Sequence, residues 1–291
     1  MSQGRTARLT VRPMANHWKF PDLGFGLGLR SEHFDHVTRY WPRVDWFEVI
    51  SENYIDTEGR PRAFLDRVRE HYPIVLHGVS LSIGSTDPLN LEFIRKLRDL
   101  ADRIETPWLG DHVCWTGVAG KNGHDLYPIP YNAESLAHLV DRIQRVQDVL
   151  GRPLVLENPS TYVTFRSSTM HEADFLGEMA ERADCALLLD VNNIYVTCRN
   201  HDLDAHDYLR RVPLDRVVQV HLAGHTDRGT HCIDTHDHTV IDPVWDLYAE
   251  VQRRAGPIAT LLEWDDHIPD FPVVFAELEK ARAFRRSACG V

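Results

Sequence analysis

The sequence predicts an α/β fold, a single (β/α)8 barrel. Three observations predict it: eight short apolar runs of strand type, a helix-like segment after each, and a histidine or carboxylate closing most of the runs. The 291 residues, 43% of them hydrophobic, are enough for one large core.

The runs are Gly24–Leu29 (GFGLGL), Trp46–Ile50 (WFEVI), Ile74–His77 (IVLH), Trp108–His112 (WLGDH), Leu154–Glu157 (LVLE), Ala186–Asp190 (ALLLD), Val217–His221 (VVQVH) and Ala259–Glu263 (ATLLE). Near-continuous apolar runs of this length suit parallel strands buried on both faces. A spacing of roughly 20–45 residues leaves room for a crossover helix each time. Asn132 is an N-cap, followed by Leu136, Leu139, Val140, Ile143 and Val146 at helical spacing, with Gly151 past the end. Asp242-Pro243 starts a second helix, whose stripe is Val244, Leu247, Tyr248 and Val251 and whose stop is Gly256. Leu91–Ile104 and Phe271–Ala283 read in the same way. An open doubly wound sheet is the competing architecture, but GFGLGLR lacks GxGxxG spacing, and its glycines read as close packing. The expected division is a tail or strap over 1–22, the barrel over 23–285 and a short tail over 286–291.

Composition narrows the function. A net charge of -11 is a poor basis for gripping a nucleic-acid backbone, which takes Lys and Arg. Five widely spaced cysteines without a CxxC argue against a disulfide framework and for reduced thiols in a cytosol, so a cytoplasmic location is expected. No apolar stretch approaches the roughly 18–20 residues of a membrane span, and no secretory signal is expected at the N-terminus.

The polar residues fall where a barrel keeps its active site, at the C-terminal ends of the strands. His77, Asp111-His112, Glu157-Asn158, Asp190 with Asn192-Asn193, His221 and Glu263 close successive runs. Glu48 lies near the end of the second, with Glu52-Asn53 after it, and Asp234-Thr235-His236-Asp237-His238 lies between the seventh and eighth. Charges gathered at one face need compensation, and bound cations are the simplest source. His77, His112, Glu157, Asp190, His221, Asp234, His236 and Glu263, with Asn193 as a further candidate, exceed what one ion can use. Two or three ions bridged by Glu157, Asp190 and Glu263 fit better. The all-N/O set suits iron, manganese or zinc and not an iron–sulfur centre.

These residues carry two resemblances. The order His77, His112, Glu157, Asp190, His221, Asp234-Thr235-His236, Glu263 resembles that of the trinuclear site of endonuclease IV, within the xylose-isomerase-like TIM-barrel superfamily. It departs at Asn193, where the endonuclease has histidine, which leaves one metal a weaker ligand or a solvent position. More closely, EVISENY, LHGVSLSIG, GDHVCW, LENPSTY, LLDVNNIYV, HLAGHTDRGTHCIDTHDH and LLEWD resemble the multinuclear non-haem iron-dependent oxidative enzymes, of the kind found in methanobactin biosynthesis. That resemblance implies two or three iron ions in mixed Fe(II)/Fe(III) states and O2 as co-substrate. It also implies oxidation of cysteine in a ribosomally made precursor peptide and a small partner protein that presents the peptide.

Other readings stay open. A phosphodiester hydrolase of the endonuclease IV type and a sugar isomerase or epimerase share the barrel, and a metal-binding scaffold is a third alternative. His225 stands between ligand, proton shuttle and loop residue. Asp111 is expected to orient a ligand histidine from behind, and Asn158 and Asn192 to hydrogen-bond carboxylates. Glu52 and Asn53 are expected to contact substrate. Trp115 and Trp264 line a cleft or pack, and Cys114 is read as a small buried hydrophobe.

Overall fold

The computed structural model describes residues 18–290. Most of the expected N-terminal tail, 1–17, lies outside the described residues. Eight parallel strands close into a barrel: β1 (Phe25–Gly28), β2 (Trp46–Ile50), β3 (Ile74–His77), β4 (Leu109–His112), β5 (Leu154–Glu157), β6 (Ala186–Asp190), β7 (Val217–Leu222) and β8 (Ala259–Leu262). Each pairs with its sequence neighbours, and β1 closes on β8 through Phe25, Gly26 and Leu27 against Thr260, Leu261 and Leu262. The predicted fold class is the observed one. Glu263 lies one residue past β8, and Trp108 one residue before β4.

The barrel has two cores. The larger fills the space between strands and helices, and the stripes of helices Leu91–Ile104, Ala133–Leu150 and Asp242–Ala255 face it. A smaller core inside the barrel contains Trp46, Val75, Trp108, Val155, Leu188 and Leu261, with Trp18, Phe20 and Leu23 packed against it. The described end of the N-terminal segment therefore plugs the barrel floor and does not strap its outside. Gly26 makes this floor possible, because a Cβ there would lie 2.4 Å from the Trp46 ring.

Strand side chains alternate between faces with a period of two. The residues two positions beyond the inner core, namely His77 after Val75, Glu157 after Val155, Asp190 after Leu188 and Glu263 after Leu261, must therefore also point inward, one layer higher. That layer is the C-terminal rim.

Several elements differ from the sequence expectation. The last helix runs from Phe271 to Cys289, continuing past residue 285 through most of the expected tail. After β4 the chain forms a hairpin of Trp115–Val118 and Lys121–Tyr127, and after β7 a smaller one of Thr226–Asp227 and Cys232–Ile233. The second hairpin returns Asp234–His236 across the barrel mouth. No helix of the described residues is long and apolar enough to cross a membrane.

Candidate metal centre

The rim residues converge into one buried cluster. His77 Nε2 lies 3.0 Å and His112 Nε2 3.3 Å from Glu157 Oε2. His221 Nδ1 lies 3.2 Å from Glu263 Oε2, 3.7 Å from Glu157 and 4.0 Å from Asp190. His236 Nε2 lies 2.8 Å from Asp234 Oδ1, and its Nδ1 lies 3.1 Å from Glu263 Oε2. Four overlapping groups have the spacing of ion-holding sets: His77/His112/Glu157, Glu48/His221/Glu263, Glu157/Asp190/His221 and Asp190/His236/Glu263. Glu157, Asp190, His221 and Glu263 each belong to two of them.

The atoms at the centre of this cluster are left without hydrogen bonds. Glu157 Oε2, Asp190 Oδ2, Asn193 Oδ1, His221 Nδ1 and His236 Nε2 are buried and unpartnered. Although His77 Nε2 is 3.0 Å from Glu157 Oε2, the pair lacks hydrogen-bond alignment. Leaving one such atom dry costs about 1–3 kcal/mol, more when it is charged. Divalent cations would satisfy all of them together, so the donor set fits a multinuclear N/O-ligated metal site.

Other polar atoms orient these donors. The Gly78 carbonyl can only accept, so at 3.1 Å it fixes the proton of His112 on Nδ1 and turns Nε2 to the cluster. Gly110 sits against His77, where a Cβ would approach Nδ1 to 2.6 Å. On the floor, Trp108 Nε1 donates to Gln219 Oε1 at 2.5 Å, which turns the Gln219 amide nitrogen to Glu48 Oε2 at 2.6 Å and to His221 Nε2 at 2.7 Å. At the rim Arg30, from the end of GFGLGLR, donates to the Trp264 carbonyl and pairs with Glu263 and Asp265. Asp265 in turn lies 3.2 Å from His236 Nδ1. His236 has a left-handed backbone (φ 46°), a conformation that L residues adopt rarely and that the Asp265 N–H to His236 carbonyl bond holds.

Without metal, protons redistribute inside the cluster. Burial pulls His77 down, but Glu48 and Glu157 outweigh it and raise its pKa to about 9. Burial, with His77 close by, keeps His112 low despite Glu157. Burial raises Glu157 and Glu263, but the surrounding histidines overcome it and lower both. Asp190 goes up, through burial and then through Glu157 and Asp234.

Several sequence expectations are redirected. Asp111 does not touch a histidine ring: its carboxylate accepts the His112 and Leu81 N–H groups at 2.7 and 3.1 Å, so it shapes the loop after β3. Burial, with Glu52 nearby, raises its pKa to about 7. Asn158 exchanges two hydrogen bonds with the Asp190 main chain, both 3.0 Å, and binds no carboxylate. Asn192 does bind one, donating to Asp234 Oδ1 at 2.8 Å, and its Oδ1 accepts from His225 Nδ1 at 2.7 Å. His225 thus joins the cluster two hydrogen bonds from Asp234. Glu52 and Asn53 lie on a short helix, where Glu52 accepts the Val79 N–H at 2.9 Å and Asn53 is exposed. Asn193 Nδ2 donates to Glu157 Oε1 at 3.2 Å. Trp264 is buried, whereas Trp115 borders a cavity of about 510 Å³ beside Ser85, Asn132 and His138. Cys114 is fully buried, as a packed hydrophobe.

Sequence reasoning does not single out Gln219, Arg30 or Asp265. It puts Glu48 near a strand end, whereas the residue stands mid-strand inside the barrel. The available signal is a charged or amide residue within an apolar run, Glu48 in WFEVI and Gln219 in VVQVH.

A family model described as RiPP precursor modification enzyme MbnB/TglH/ChrH matches residues 24–286. A UPF0276 protein of Anaeromyxobacter sp. (strain Fw109-5) is 53% identical over 266 residues, covering 91% of this chain and 94% of the relative. One of Caulobacter vibrioides (strain NA1000 / CB15N) is 52% identical over 264 residues, covering 90% and 94%. Among solved structures, D-psicose 3-epimerase from Clostridium cellulolyticum H10 is similar with a TM-score of 0.61 at 10% identity, covering 91% of this chain and 99% of that one. Endonuclease IV from Thermus thermophilus is similar with a TM-score of 0.60 at 16% identity, with the same coverage. At such identities these two show the shared α/β barrel fold alone.

Proposed function

The chain belongs to the MbnB/TglH/ChrH family of RiPP precursor modification enzymes, and we propose that it is an iron-dependent oxidoreductase that uses O2 to modify cysteine in its precursor peptide. The observation that carries this reading is the buried set of unpartnered N and O donors at the barrel mouth, shared pairwise through Glu157 and Asp190.

His77, His112 and Glu157 would hold one ion; Glu157, Asp190, His221 and Glu263 a second; and Asp190, Asp234, His236 and the Asn193 carbonyl a third. When bound, iron supplies electron exchange with O2 and acidification of a substrate thiol. The protein's own part is orientation and exclusion of water. Glu48 and the Gly78 carbonyl set which nitrogens of His221 and His112 face inward. The Trp46/Trp108 floor closes the barrel below, so the peptide must enter from the loop face. A small partner protein presenting the peptide is part of the proposal.

The test is metal analysis after anaerobic purification, followed by oxidation of a Cys-containing precursor with O2. Iron, and product formation that ceases on iron removal, are expected. Zinc with phosphodiester cleavage would move the chain to the hydrolase reading, and oxidation unaffected by iron removal would sink the proposal. His112→Ala is expected to lose metal and turnover while keeping the barrel's circular dichroism.

A further inference from the structure

We propose that the cavity between the loop after β5 and helix Val191–His201 is a binding site for a basic side chain of the precursor peptide, with Glu172 as its counter-ion. The peptide part of this inference rests on the function proposed above.

The cavity measures about 170 Å³, and Ile129, Tyr131, Val163, Phe165, Leu203 and Glu172 are among the residues that border it. Its walls are mostly apolar, interrupted by Thr161, Thr164, Ser168, Thr197 and two histidines, and three apolar residues are exposed at the mouth: Val163 at 56%, Phe165 at 36% and Leu203 at 49%. Single exposed apolar residues need no explanation, but here three surround one opening. Glu172 is the one carboxylate among the residues that line it. It begins helix Glu172–Ala183 and is only 8% exposed. Tyr208 donates to its Oε1 at 2.9 Å, and the Tyr131 hydroxyl also bonds it. No Lys or Arg pairs with it among the described residues. Burial accordingly raises its pKa to about 7, against the pull of the two tyrosines.

A buried carboxylate that has hydrogen bonds but no cation is costly in its charged form. An apolar tunnel ending on such a group suits an aliphatic stem with a cationic head, as in Lys or Arg, whose methylenes pack on apolar walls. The two lining histidines do not pair with it: His201 Nε2 is taken up by Thr161, at 3.0 Å from its hydroxyl and 3.1 Å from its carbonyl. His171 Nδ1 accepts the Ala173 N–H, and burial lowers its pKa, which favours the neutral ring.

The cavity is coupled to the metal centre by geometry. Asn193, Thr197 and His201 follow at four-residue intervals on helix Val191–His201, so they share one face. Asn193 touches Glu157, whereas Thr197 and His201 border the cavity. The two sites are therefore roughly 6–12 Å apart along the helix axis. Tyr162, in the same loop as Val163, accepts the Asp234 N–H at 2.9 Å. A peptide anchored here lays a residue close in sequence, and not the anchored one, over the metal cluster.

The test needs neither metal nor turnover, so it is independent of the iron reading. The whole protein is titrated with n-butylammonium, n-butylguanidinium and n-butanol, and binding is followed by saturation-transfer NMR of the butyl protons. Both cations are expected to bind and butanol not to. Glu172→Gln is expected to weaken the cations roughly tenfold or more. Leu203→Trp, an exposed substitution that keeps Glu172 and fills the mouth, is expected to abolish the signal even if the first variant folds poorly. Equal binding of butanol, unchanged binding in either variant, or no binding by the cations would overturn the proposal.

Discussion

Glu48 lies 3.2 Å from Nε2 of His221, on the opposite side of the ring from Glu263, whose carboxylate lies 3.2 Å from Nδ1. A carboxylate can only accept, so Glu48 favours a proton on Nε2, in competition with the Gln219 amide nitrogen 2.7 Å from the same atom; with the proton there, the Nδ1 lone pair is left for a cation. Gln219 cannot take over that role, because Trp108 holds its oxygen and only its amide nitrogen faces the ring. Glu48→Gln would place a second possible donor there. The expected outcome is metal affinity roughly 10–100-fold weaker with the fold intact, read by competition against a chelator together with circular dichroism. Unchanged affinity would show that Glu48 does not set the ring.

Asn192 links Asp234 to His225. Since Asp234 accepts from the Asn192 amide, the Asn192 oxygen must be the atom that meets His225, whose proton then sits on Nδ1. Asn192→Asp puts two carboxylates 2.8 Å apart, and one of them must take a proton. The ion that Asp234 and His236 are proposed to hold is expected to be lost first. Metal counting should show about one equivalent fewer per chain, with the remaining ions retained; full occupancy would count against Asp234 as a ligand.

Much of this architecture is legible in the sequence. Parallel barrel strands are buried on both faces, so β2, β3, β5 and β6 stand out as apolar runs with matching bounds. Their closing His, Glu and Asp residues mark the rim. Lys121–Tyr127 is not legible because KNGHDLY is polar and solvent-exposed, with no alternation to betray a strand. Glu48 is misplaced because attention to strand ends overlooks a buried acid in mid-strand. The Arg30–Asp265 and Trp108–Gln219 contacts join distant parts of the chain, and only barrel closure brings them together.

Glu172 gives a pH signature. Its folded pKa of about 7 is above the ordinary 4.5, so the folded state holds the proton more tightly than the unfolded chain between those values. Stability therefore falls as pH rises from about 4.5 to about 7 and is level on either side as far as this group is concerned. The full effect is on the order of 3 kcal/mol. Glu172→Gln is expected to remove that slope, so the difference in melting temperature between the two proteins, at equal metal content, changes across this window. A constant difference would mean that the carboxyl is not perturbed.

In the proposed ligand set, Asn193 is the donor at which the resemblance to the endonuclease order breaks, and its surroundings say what a histidine there would change. Its Oδ1 is buried without a partner, while its Nδ2 serves Glu157 Oε1 and the Asn158 carbonyl at 3.2 and 3.1 Å. The side chain thus offers a weak neutral oxygen to the cluster and holds Glu157 with its other end. Asn193→His exchanges that oxygen for an imidazole nitrogen, a stronger ligand for iron or zinc. It cannot reproduce both donor contacts, so Glu157 loses a restraint. The two effects are separable. Release of metal to a chelator is expected to slow for the ion beside Asp190 and His236, while oxidation of the precursor falls because Glu157 is less firmly oriented. Faster release of every ion would assign Asn193 to holding Glu157 alone, and unchanged release with unchanged turnover would remove it from the metal centre.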